Sequence, residues 1–131
     1  MSSFFNNIKA LNLIPAESWN GEGNKDTATG VDLQGAESVA VVINTGTVEA
    51  GADHIIKFYE GDVNTLTIGS STEIPSARVL VSPTIDDTDN TTYVYNIKPN
   101  KRYLKVRVTS SGDIDIDFSV TAILGHLAEK P

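Results

Sequence analysis

The sequence predicts an all-β protein, an antiparallel β-sandwich of eight or nine short strands, on three observations. Apolar and polar residues alternate in short runs. Turn-forming Gly, Pro, Asn and Asp recur between these runs at spacings of roughly 8–12 residues. No stretch carries the periodicity of a long helix. A sheet with one polar face must cover its apolar face with another sheet, which gives a sandwich or barrel.

In chain order, residues 1–14 carry two spacings at once. Phe4, Ile8 and Leu11 fit a helix, whereas Lys9, Leu11 and Leu13 alternate. Pro15 disfavours helix at Ile14 and closes either element. Residues 15–30 are polar and rich in Gly, Asn and Thr, which reads as a loop or arm anchored by Trp19. The expected division is an N-terminal segment, 1–26, and a single sandwich domain, 27–131. Val31–Leu33 is a short strand, and Ser38–Asn44 is apolar on both faces, as a central strand should be. His54–Glu60 alternates with Ile56 and Phe58 inward. Thr65–Ile68 and Arg78–Val81 read as edge strands near Pro75 and Pro83. Thr92–Ile97 alternates through Tyr93, Tyr95 and Ile97.

Lys101–Leu124 gives the clearest local pattern. Leu104, Val106 and Val108 share one face; Ile114, Ile116, Phe118, Val120, Ala122 and Leu124 share another, with Ser110-Ser111-Gly112 between them. This predicts a hairpin with a three-residue loop, because that loop pairs Val108 with Ile114, Val106 with Ile116 and Leu104 with Phe118. It also sets Arg107 opposite Asp115 and Lys105 opposite Asp117, in pairs worth ~0.2–1 kcal/mol each.

With 131 residues, the chain suits one domain. Its apolar runs are too short to span a membrane, and its N-terminus shows no basic region followed by an apolar stretch. A net charge of −7 argues against nucleic acid as the main partner. Lys98, Lys101, Arg102, Lys105 and Arg107 form one basic cluster, assigned to charge pairing across the hairpin. The absence of cysteine rules out disulfides and cysteine zinc sites. His54 and His126 form no ligand pair, and no nucleophile elbow or phosphate-binding loop is present. The acidic loop Asp86–Asn90 lacks the glycine and distal glutamate of an EF-hand and reads as a solvated turn. No catalytic residue, metal site or cofactor is therefore expected, and the reading is of a soluble, non-enzymatic protein.

Three segments, Thr29–Ile43, Lys101–Val108 and Ser119–His126, together resemble the small cement or decoration proteins of tailed-bacteriophage and prophage heads. The resemblance runs from about residue 27 to the C-terminus. It implies a jelly-roll-like sandwich, often a dimer or trimer, made in the host cytoplasm and bound to the outside of the virion capsid. There it would clamp the phage major capsid protein against internal pressure, without catalysis. The apolar residues Phe4, Phe5, Ile8, Leu11 and Leu13, with Trp19, are the candidate capsid or subunit contacts. The alternative is a carbohydrate-binding sandwich on a virion or cell surface, which would want neighbouring exposed aromatics such as Trp19 with Tyr59 or Tyr93.

Overall fold

One strand, β7 (Tyr103–Gly125), runs unbroken through the stretch expected to be a hairpin. The computed structural model describes residues 9–34, 36–49, 51, 54–86 and 89–125, apart from the side chains of 9, 17, 20–22 and 111–115. Among these residues the remaining strands are β1 (Lys9–Asp26), β2 (Val31–Asp32), β3 (Ser38–Val48), β4 (His54–Gly61), β5 (Val79–Val81) and β6 (Thr92–Ile97). One 3-10 turn, Ser76–Arg78, precedes β5.

All pairings are antiparallel, and β7 organises them. Its C-terminal half pairs with β3, from Ser38↔Gly125 to Val48↔Ile116. Its N-terminal half pairs with β4, from His54↔Ser110 to Gly61↔Tyr103. Along its other side β7 is followed by β1 and then β2. The larger sheet is thus β1-β7-β3-β6-β5, and the smaller one is built from the other halves of β1 and β7 with β2 and β4. The fold is an all-β sandwich of two antiparallel sheets, as the alternation predicts. Among the described residues seven strands make up both layers, because β1 and β7 each serve both.

The hairpin assignment is corrected by this register. Between Ser110 and Ile114, β7 advances four residues while β1 advances only from Gly23 to Gly21. The surplus makes Ser111–Asp113 a bulge, where a strand bends without reversing. Ser110 itself is buried, with its Oγ 2.5 Å from His54 Nδ1. Opposite it, Gly23 takes φ 114°, a conformation that glycine adopts freely. The expected inward set is otherwise correct: Leu104, Val106, Val108, Ile116 and Phe118 are all buried, while the Ile114 side chain lies outside the described residues. The expected ion pairs are replaced. Arg107 grips Asp26 with two hydrogen bonds of 2.7 and 2.9 Å, and Asp117 accepts the Ser18 hydroxyl at 2.5 Å.

The 1–26 arm is also revised, since residues 9–26 form β1 within the sandwich. Pro15 does not end this strand. It lies at the sheet edge within the second of two register shifts, Asn12/Ile14 and Ile14/Glu17, where a missing N–H costs no ladder bond. The first shift explains why the consecutive Leu13 and Ile14 are both buried. Residues 65–68, read as an edge strand, are not one.

The two layers meet through side chains such as Phe58 of β4 and Tyr95 of β6, whose ring centroids lie 5.6 Å apart at an edge-to-face angle. Leu66 closes one end, buried against Gly30 and Gly61. A Cβ on Gly61 would sit 2.7 Å from the Leu66 Cβ, whereas one on Gly69 would meet nothing within 4 Å. In urea unfolding, Gly61→Ala should therefore cost about 1–3 kcal/mol through overpacking, and Gly69→Ala should leave the midpoint nearly unchanged. Phe118→Ala should cost about 3–5 kcal/mol by opening a cavity in the core beside Trp19.

Candidate docking surfaces

The two outer faces of the sandwich differ in charge. On the smaller sheet, Arg107 pairs with Asp26, Arg102 with Asp32 at 2.8 Å, and Lys57 with Glu73 at 3.8 Å. Arg102 also lies 5.3 Å from the centroid of the Tyr103 ring. This is an ordinary wet face, with ion pairs worth ~0–1 kcal/mol each.

The outer face of the larger sheet is different. Residues facing each other across a ladder point to the same side, so the register gives its rows directly. One row is Ala10, Ile123, Ala40, Asn96 and Val81; the next is Asn12, Thr121, Val42 and Val94; a third is Ser119, Asn44 and Thr92. None is buried, and none carries charge, in a chain where 21% of residues do. Asp117 and Lys98 mark the two ends. Val94 is 41% exposed and Val81 49%. Val81 reaches this face because of a bulge at Leu80, which leaves Val79 facing inward beside Ile97 and turns Val81 outward beside Asn96. Depletion of charge over a broad sheet face is the compositional mark of an interface core.

A second feature lies at the opening between the layers. The edge of β4 is bridged at His54↔Ile85 and Tyr59↔Glu73. Among the described residues, no strand pairs with Ile55–Lys57 on that side. Facing this gap is a groove of about 270 Å³, lined by Ile55, Ile56, Phe58, Ile74 and Val79, with Lys57, Glu73, Ser76 and Ser82 around them. Ile55 is 55% exposed, and Leu80 of the adjoining β5 is 59% exposed.

A buried charge cluster fixes the wall of this groove. Glu60, at the end of β4, accepts both Arg78 guanidinium nitrogens and the amides of Asn100 and Lys101. Arg78 also donates to the Lys98 carbonyl at 3.0 Å. Three separate segments are thereby tied together beside Ser76 and Val79. Burial pushes the Glu60 carboxyl up, but the Arg78 hydrogen bonds, the Asn100 amide, the Arg78 charge and the Lys101 amide outweigh it and hold the group below its ordinary value.

The candidate contacts named from sequence fall differently. Phe4, Phe5 and Ile8 lie outside the described residues. Leu13 is buried in the chain's own core, and Leu11 and Trp19 pack against that core. The Trp19 ring lies 6.1 Å from that of Phe118. Tyr59 and Tyr93 are buried, so Trp19 forms no exposed aromatic platform with either. Two carboxylates of the acidic loop serve the fold: Asp86 accepts the Tyr93 hydroxyl at 2.9 Å, and Asp89 accepts the Val48 amide at 2.8 Å. Among the described residues no group of His, Cys, Asp and Glu is placed to hold a metal, and no helix is long and apolar enough to cross a membrane. The uncharged face escaped sequence reasoning because its residues are modest singly and only the register assembles them.

No protein-family model matches the sequence, and no curated protein matches it significantly. Solved structures do share the fold. The VP2 protein of an infectious bursal disease virus subviral particle aligns with a TM-score of 0.61 and 12% identity over 95% of this chain. This chain spans about a third of that protein's length, the alignment covering 33% of it. A carbohydrate-binding module from Cellvibrio mixtus lichenase 5A, solved with cellotriose, aligns with a TM-score of 0.52 and 10% identity over 90% of this chain and 97% of the module. A Clostridium thermocellum xylanase 10B structure, with its CBM22-1 and GH10 modules and xylohexaose, aligns at 0.50 and 11% over 97% of this chain and 27% of that one.

The Glu60 cluster sets an acid dependence. Because the folded-state pKa is depressed, its stabilising contribution is complete above the pH at which an unfolded Glu titrates, about 4.3. It is lost as pH falls through the lower folded value. Glu60→Gln should reduce stability at pH 7 and flatten this acid limb, as read from thermal unfolding between pH 2 and pH 7.

Proposed function

We propose that this chain is a structural virion protein, a cement or decoration protein that binds the outer surface of an assembled phage capsid and stabilises it. The observation that carries this reading is the uncharged outer face of the larger sheet. Its uncharged side chains present a surface that docks without desolvating a charge, and desolvated charges are what make burial costly. Two of the three segments that carry the phage resemblance, Thr29–Ile43 and Ser119–His126, supply the middle of that face through Ala40, Val42, Ser119, Thr121 and Ile123. The acidic balance of the chain suits a position outside a DNA-filled shell. A ligand that binds only the assembled shell stabilises it by mass action, and many copies add to the effect.

The carbohydrate-binding reading shares the fold but has weaker support from side chains. Sugar recognition of the expected kind asks for exposed rings, and among the described residues every aromatic is buried or partly so.

Purified protein added to expanded heads of the phage that encodes it, assembled without it, should co-sediment and raise the temperature of DNA release. Val94→Lys and Thr121→Lys should each weaken that binding at least about tenfold, with unfolding midpoints close to the parent. Lys57→Glu, on the opposite outer face, should leave binding intact. Failure of the parent to co-sediment, together with specific signals on a glycan array, would transfer the case to the carbohydrate reading.

A further inference from the structure

The two edges of the larger sheet are complementary. At one edge, β1 begins at Lys9 and is preceded by Met-Ser-Ser-Phe-Phe-Asn-Asn-Ile, a segment with three large apolar side chains beyond its Met and no charged side chain. At the other edge, β5 borders the apolar groove that opens against Ile55–Lys57. We propose that this groove receives Phe4 and Phe5 of a second copy of the chain, joining copies head to tail.

Reach favours another copy's segment over the chain's own as the occupant. Lys9, Leu124, Val39, Ile97 and Val79 lie in one row across the sheet. Four inter-strand spacings therefore separate Lys9 from Val79, or roughly 19 Å. Phe5 extends at most ~14 Å from Lys9 and Phe4 ~18 Å, even with the backbone fully stretched. Even with the length of its ring added, a side chain from this segment spans that row only with the backbone almost fully stretched, and the groove opens between the layers, which lengthens the path further. In a neighbour whose β5 edge adjoins this β1 edge, the same segment arrives directly. The chemistry matches: an apolar cavity of ~150 Å³ accommodates benzene, and this groove, at about 270 Å³, accepts a phenyl side chain with room beside it. The unpaired stretch of β4 offers backbone groups to an incoming extended segment. A contact between two different edges is heterologous, and it closes into a ring when the rotation per copy permits. The groove and the uncharged face are separate surfaces, so ring formation does not depend on shell binding.

The absence of cysteine makes the test clean. Phe5→Cys and Ser82→Cys variants, prepared separately and mixed under mild oxidation, should give a disulfide-linked heterodimer several-fold in excess of either homodimer. Ile55→Lys, placed on the Ser82→Cys chain, should abolish that product while leaving the circular dichroism spectrum unchanged, because Ile55 is exposed. The parent should sediment as an oligomer, and Phe4→Ser/Phe5→Ser should sediment as a monomer. A mixture without excess heterodimer would overturn the inference. So would a Phe5→Cys/Ser82→Cys double variant that closes its disulfide within one chain. Heterodimer formation by a protein that fails to bind phage heads would leave this inference standing and remove only the capsid reading.

Discussion

The structure depends on β7 belonging to two sheets at once. A strand of 23 residues is too long for one layer of so small a sandwich, and the bulge at Ser111–Asp113 lets it bend from β4 toward β3 without losing β1. A strand in the middle of a sheet has hydrogen-bond partners on both sides, and the bend supplies a fresh partner for each half. It also places Ser110, His54 and Gly23 together at the crossing. The polar residues there meet inside the fold, where hydrogen bonding offsets their burial.

The bend also separates the surface into two characters. On the N-terminal half of β7 the outward residues are Tyr103, Lys105, Arg107 and Thr109, and Asp26 of β1 meets Arg107. On the C-terminal half they are Ser119, Thr121 and Ile123, beside equally uncharged positions of β1, β3 and β6. One strand thus carries both a solvated face and a face suited to burial against a partner. The Glu60–Arg78 cluster adds a third element by holding the turn before β5 against β4, beside the groove between the layers.

This arrangement accounts for a protein whose likeness to virus-particle proteins and carbohydrate-binding modules is one of fold alone. A sandwich provides faces, edges and loops, and side-chain chemistry decides which is used. Here the exposed chemistry is an uncharged sheet face and an apolar edge groove. Of the rings that sugar recognition would use, Tyr93 and Tyr95 are turned into the core, and Tyr59 is buried on the outer side of β4.

The sequence by itself determined the class of fold and the inward side of most strands, because alternation is a local property and its parity survives any even insertion. Leu104, Val106, Val108, Ile116 and Phe118 were assignable to the core without knowledge of any partner. The break at Ser110–Gly112 was equally legible. Its geometry was not, since a three-residue hairpin loop and a two-residue surplus in a continuous strand leave the same residues facing inward. Tertiary structure decided between them: β1 continues beside β7 past the bend, and β3 and β4 take its other side, so each half finds an external partner and neither needs the other. It likewise turned residues 9–26 from an arm into an edge strand, where bulges around Pro15 absorb the missing donor. The uncharged face existed in no single segment. It arose when register placed Ala40, Val42, Val94, Thr121 and Ile123 side by side, because hydrogen bonds between strands distant in sequence, rather than any local signal, set which side chains become neighbours.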